Sequence, residues 1–215
     1  MKKIENAIKN RILVLDGAMG TMIQQYKLTE EDFRGQDFTH HPINLKGCND
    51  ILNITHPEII SEIHLKYLQA GADIIETNTF NSNAISLAEY KLEEYAYQLN
   101  FEAAKIARHA IEAFQKEHKT EKFIAGSIGP TSKTASLPTD VNKPGERSTN
   151  WDMLFNAYKS QIEGLIDGGV DALLIETIFD TLNAKAALAA AEKVMQEKQI
   201  RIPLMISGTI ADASG

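Results

Sequence analysis

The chain has 215 residues, enough for one domain with a sizeable core. Its 43% hydrophobic and 24% charged residues are ordinary globular values, which exclude a disordered or collagen-like chain. The net charge of -7, with no basic run, argues against nucleic acid as a partner, and a single cysteine excludes an internal disulfide.

The N-terminus, MKKIENAIKNRILVLDGAMG, starts basic but lacks the apolar stretch of a signal peptide. No apolar run approaches the ~20 residues that cross a bilayer, so the expectation is a soluble cytoplasmic protein with no membrane contact. The first apolar run, 12–15, is short and β-rich, and predicts a strand. A polar excursion follows over 29–50. Residues 57–69 then place Ile59, Ile60, Ile63, Leu65 and Leu68 at helical spacing, with Pro57 suited to the first turn and Gly71 to a left-handed cap. A second strand is expected at 73–75, and the Ala-rich stretch 87–116 reads as two helices or one bent one. Strands at 123–125, 172–175 and 204–206 alternate with helices at 151–166 and 184–196. Between them, 129–150 is a long polar loop of the kind that serves active sites.

Strands that alternate with helices imply parallel pairing through right-handed crossovers. The pattern therefore predicts an α/β fold of the (β/α)8 barrel type, cut off after about five β/α units, with residues 1–215 as its N-terminal part and no second domain. An internal echo supports it: GADIIETNTF at 71–80 and GVDALLIETIF at 169–179 set Glu76 and Glu176 at equivalent strand ends. In such barrels the C-terminal strand ends carry the chemistry.

Candidate site residues sit at those ends. Asp16-Gly17-Ala18-Met19-Gly20-Thr21 follows the first strand. Its glycines let backbone N–H groups approach an anionic ligand, or they make a tight turn in which Asp16 caps the next helix. Glu76 with Thr77, Asn78 and Thr79, and Glu176 with Thr177 and Asp180, end two further strands. A carboxylate ending a buried strand must be paired, hydrogen-bonded or part of a site, because an uncompensated buried charge is very costly. Asp16 and Glu176 together suit a clamp on the amine of an amino acid whose carboxylate meets the Gly17–Gly20 amides; otherwise either acid caps a helix or pairs with a basic side chain. His40, His41, Cys48, His56 and His64 match no zinc spacing, with His64 read as a structural helix residue and His40 and His41 as solvated. No Gly-x-Ser-x-Gly element and no dinucleotide or P-loop motif occurs.

The segments LDGAMGT (15–21), DFRG (32–35), ADIIETNTFNS (72–82), GPTSKTAS (129–136), DVN (140–142), LIETIFDTLNAKAA (174–187) and MISGTIADASG (205–215) resemble the homocysteine-binding module of cobalamin-dependent methionine synthases, within the homocysteine S-methyltransferase family. The resemblance implies a (β/α)8 barrel that binds homocysteine and a catalytic zinc, with methylcobalamin as methyl donor. Asp16 and Glu176 would lie near the substrate amine and the backbone of Gly17, Ala18 and Met19 near its carboxylate, with Glu76 and Thr77 also at the site. The zinc-binding cysteines of the family lie on strands beyond the fifth, past Gly215, so no metal ligand or catalytic residue is assigned here. The partners implied are the folate, cobalamin and activation modules of the parent enzyme, and residues 1–215 alone are expected to be inactive and to bind neither zinc nor methylcobalamin. Two alternatives are a stand-alone homocysteine S-methyltransferase using betaine or S-methylmethionine, and a truncated, non-catalytic binding fragment.

Overall fold

In the computed structural model, residues 3–210 are described apart from 139, 141 and 144; the 140–142 and 205–215 motifs thus fall partly outside the described residues. The chain runs α1 (Lys3–Asn10), α2 (Met19–Gln24), α3 (Glu30–Arg34), α4 (Leu52–Thr55), α5 (Pro57–Gln69), β1 (Ile74–Glu76), α6 (Ala84–Leu87), α7 (Ala96–Gln115), β2 (Phe123–Ile128), α8 (Trp151–Gly168), β3 (Ala172–Ile178), α9 (Thr181–Glu197) and β4 (Leu204–Gly208). The four strands form one parallel sheet in the order β1-β2-β3-β4. This is the α/β architecture expected, consistent with part of a barrel. Closure is not a feature of the described residues, whose sheet is open.

Side-chain alternation along the strands separates two environments. Ile75, Ile124, Ile128, Leu173 and Ile175 pack against the Ala-rich faces of α7 and α9 and against Leu154, Tyr158, Ile162 and Leu165 of α8. The alternate residues Ile74, Phe123, Ala125, Ala172 and Leu174 form a second cluster, into which Ile4 of α1 inserts. Continuing that parity to the C-terminal ends brings Glu76, Ser127 and Glu176 above this apolar layer. The helices approach closely where side chains are small: a Cβ at Gly164 of α8 would run into the Tyr97 backbone and the Asn100 side chain of α7.

The echoed segments are also tied alike at their N-terminal ends. Asp73 accepts the Val14 N–H at 3.0 Å and pairs with Arg11 at 2.7 Å. Asp171 accepts the Ile124 N–H at 2.9 Å and pairs with Arg108 at 2.9 Å. Each aspartate holds the start of its strand to the neighbouring one. Gly71 and Gly169 both adopt left-handed backbone at the preceding helix ends (φ 107° and 94°).

Three expectations change. Residues 12–15 do not form a ladder strand; they meet β1 through a single Leu15–Ile74 bridge, and Ile12 and Val14 are exposed. Alternation cannot bury a strand that has one neighbour and no cover. The 87–116 stretch divides because Lys91 takes left-handed backbone (φ 52°), so two 3-10 turns (Ala88–Tyr90, Glu93–Tyr95) separate α6 from α7. The 29–50 excursion contains α3, whose Thr29 and Asp32 make a reciprocal capping box. Its Phe33, Phe38, Leu45 and Cys48 build a satellite core against α5 and α7. Among the described residues, no helix is long and apolar enough to cross a membrane.

Candidate functional site: an acidic cavity at the strand ends

A cavity of about 340 Å³ opens at the C-terminal ends of β1, β2 and β3. Asp16, Gly17, Ala18, Met19, Gly20, Glu76, Thr77, Asn78, Thr79, Phe80, Ser127 and Glu176 line it. All seven candidates, Asp16, Gly17, Ala18, Met19, Glu76, Thr77 and Glu176, therefore meet in one place. Asp180 does not join them: it caps α9 by accepting the Leu182 and Asn183 N–H groups and binds the Ser136 hydroxyl of the long loop.

Asp16 is held by the end of β1, where its Oδ2 accepts the Glu76 N–H at 3.0 Å. Its Oδ1 is buried and has no hydrogen-bond partner. It does not cap α2, because the N-cap is Ala18, which offers no side-chain bond. The first amides of α2 thus begin at the cavity wall without a side-chain cap. Gly17 lies at a close approach: a Cβ there would sit 3.1 Å from the Tyr67 ring, whose hydroxyl donates to the Ala18 carbonyl at 3.1 Å, so a larger residue would displace that ring.

Glu176 sits in an irregularity of β3, where the register to β4 shifts between Ile175 and Ile178. Thr177 takes φ 56°, a rare conformation for a β-branched residue. Bulges of this kind re-aim side chains next to active sites. Glu176 Oε1 accepts the Ser127 hydroxyl at 2.5 Å.

Three carboxylates thus face one small space whose lining includes no Lys, Arg or His. Burial pushes the Asp16 carboxyl up to about 7, overriding the backbone N–H bonds that favour its charged form, and Glu176 adds to the rise. Glu76 is pushed up to about 8, first by burial and then by the charges of Glu176 and Asp16. Such a group of acids is stabilised by a cation that enters between them. Among the described residues these acids cap no helix, and no basic side chain lines their cavity.

The zinc implied by the sequence finds no fit in these residues. Among the described residues no three His, Cys, Asp or Glu are grouped to hold a metal ion. Cys48 is buried in the satellite core, its thiol pushed up to about 12 by burial, and it lies outside the acidic cavity. His64 is wholly buried with both ring nitrogens unpartnered, and burial lowers it to about 4. His40 is exposed, whereas His41, expected to be solvated, is half-buried, with Nε2 2.7 Å from the Tyr90 carbonyl.

The sequence reading gave no role to Ser127, Phe80 or Gln161. Strand parity gives Ser127 away; Gln161, a polar residue on the buried face of α8, looks on sequence like a break in an apolar stripe.

The carboxyl ends of parallel α/β sheets, where this acidic cavity opens, are where such folds place their ligand sites. Residues 13–215 match the model of the homocysteine S-methyltransferase family, and the chain belongs to that family. Its fold is similar to crystal structures of the homocysteine methyltransferase MmuM from Escherichia coli. The metallated form aligns at 23% identity and TM-score 0.70 over 96% of this chain and 66% of that one. The oxidized form aligns at 25% and 0.68 over 94% and 63%, and the apo form at 23% and 0.63 over 94% and 60%. The chain therefore spans less than two thirds of the length of these structures.

Proposed function

We propose that this chain is the N-terminal part of the homocysteine-binding barrel of a cobalamin-dependent methionine synthase, a cytoplasmic methyltransferase. The observation that carries the reading is the cation-free group of Asp16, Glu76 and Glu176 around one cavity. Homocysteine brings an ammonium, a carboxylate and a thiol on a short chain, and about 340 Å³ is ample for it. The ammonium lies between Asp16 Oδ1, which lacks a partner, and Glu176. The carboxylate meets the N–H groups of Gly17, Ala18 and Met19, where the start of α2 adds favourable dipoles. Glu76 and Thr77 complete the wall.

Methyl transfer requires the thiol to react as its thiolate. The zinc that would favour the thiolate and the methylcobalamin that would supply the methyl group are assigned to parts of the parent enzyme other than the residues described here. So are the folate and activation modules. Residues 1–215 alone are read as binding homocysteine without turnover.

A second reading, a stand-alone homocysteine S-methyltransferase using betaine or S-methylmethionine, draws support from the folds it resembles, which are those of a homocysteine methyltransferase. Presenting the parent protein with homocysteine and, in turn, methylcobalamin, betaine and S-methylmethionine separates the two. Methionine formed only with methylcobalamin is expected. Turnover with either of the other donors, and none with methylcobalamin, favours the second reading.

A further inference from the structure

Within the cavity wall, a closed circuit of hydrogen bonds joins the segment after β1 to β2 and α8. The Ser127 N–H donates to Thr77 Oγ1 at 3.0 Å, and the Thr79 hydroxyl donates to the Ser127 carbonyl at 2.7 Å. The two threonine oxygens are 2.6 Å apart. Because the Thr79 proton is already directed at Ser127, the Thr77 hydroxyl must be the donor between them, and the circuit has one proton order. Gln161, fully buried on α8, reinforces it by donating to the carbonyls of Thr79 at 2.8 Å and Ser127 at 3.4 Å. Ser127 is therefore fixed through both of its backbone groups. Its hydroxyl is the one part left over, and it donates to Glu176 Oε1.

On the reading that the cavity takes the amino group of homocysteine, we propose that Ser127 is a positioning residue that selects the ligand-facing oxygen of Glu176. By occupying Oε1 it leaves Oε2 for the ligand. It also holds the carboxylate against rotation about its own side-chain bonds. Gln161 and the two threonines keep Ser127 in register with Glu176, so the orientation is built into the sheet before any ligand arrives. A preset acceptor removes part of the ordering cost of binding.

The test compares L-homocysteine with 4-mercaptobutanoate, the same molecule without its amino group, by calorimetry on the whole chain. Ser127→Ala leaves the backbone circuit intact. It is expected to weaken homocysteine about tenfold and to leave 4-mercaptobutanoate unchanged, because only the ammonium uses Glu176. Ser127→Thr, which keeps the hydroxyl, is expected to recover the difference. Equal losses for both ligands, or no loss for homocysteine, overturn the proposal. Should the wild-type chain treat the two ligands alike, the amino-group reading falls by itself. The role of Ser127 is then read from the infrared carboxylate stretch of isotope-labelled glutamate. A band lost from the wild-type position in both Ser127→Ala and Glu176→Gln supports positioning; a Ser127→Ala spectrum identical to wild type overturns it.

Discussion

Asp16 and Glu76, sixty positions apart in the chain, share a hydrogen bond of 3.0 Å from the Glu76 N–H to Asp16 Oδ2. One carboxylate oxygen thereby joins the turn before α2 to the end of β1, while the other remains buried and unpartnered at the cavity. One oxygen of this side chain is thus committed to the fold, and the other is left without a partner.

That division separates two substitutions. Asp16→Asn keeps an oxygen to accept from Glu76 but loses the charge; it should leave the melting temperature near wild type and weaken homocysteine by about 10- to 150-fold, the worth of a charge-assisted hydrogen bond. Asp16→Ala also strands the Glu76 N–H, and should cost about 1–3 kcal/mol of stability. Calorimetry with homocysteine and urea denaturation measure the two effects.

The raised carboxyls make stability depend on pH. The folded chain holds the Asp16 and Glu76 protons up to about 7 and about 8, whereas ordinary values are 3.8 and 4.5. Between these limits the folded state binds more protons than the unfolded one, so these two groups make stability fall as pH rises through the window. Melting temperature is expected to decline from pH 5 to pH 9, and Glu76→Gln to flatten that decline. An unchanged slope in Glu76→Gln would contradict the shift.

Thr177 should behave against the usual rule for strands. Glycine inside a strand normally weakens it, but here the backbone is left-handed, where a β-branched side chain is strained by about 1–3 kcal/mol. Thr177→Gly is expected to match or exceed wild-type stability in urea denaturation. A loss above about 1 kcal/mol would mean that Thr177 contributes contacts outweighing its strain.

Two apolar borders flank the sheet. Ile12 and Val14 are 89% and 55% exposed beside β1, and Ile206 is 59% exposed on β4. Exposed apolar borders of this kind favour association. The isolated chain is expected to self-associate in analytical ultracentrifugation, and Ile12→Lys with Ile206→Lys to reduce it. Association unaffected by both changes would place the contact elsewhere.

Much of this was legible in the sequence where burial is two-sided. The helix expected at 57–69 matches α5, and the apolar runs at 123–125 and 172–175 lie inside β2 and β3, because full burial demands continuous apolar residues. Residues 12–15 have the same composition yet only one neighbour, so propensity misled. The acids that line the cavity were legible because carboxylates stand out at the ends of apolar runs. The irregularity at Thr177 was not, since nothing in Glu-Thr signals left-handed backbone. Nor was the circuit through Ser127, Thr79 and Gln161, which exists only once β1, β2 and α8 are brought together.

The most direct measurement is a crystal structure of the protein with L-homocysteine bound. The account predicts the ammonium nitrogen within ~2.7–3.2 Å of both Asp16 Oδ1 and Glu176 Oε2, with the carboxylate at the Gly17–Met19 amides. An amino acid bound elsewhere, or one whose amino group points away from Asp16 and Glu176, would contradict it.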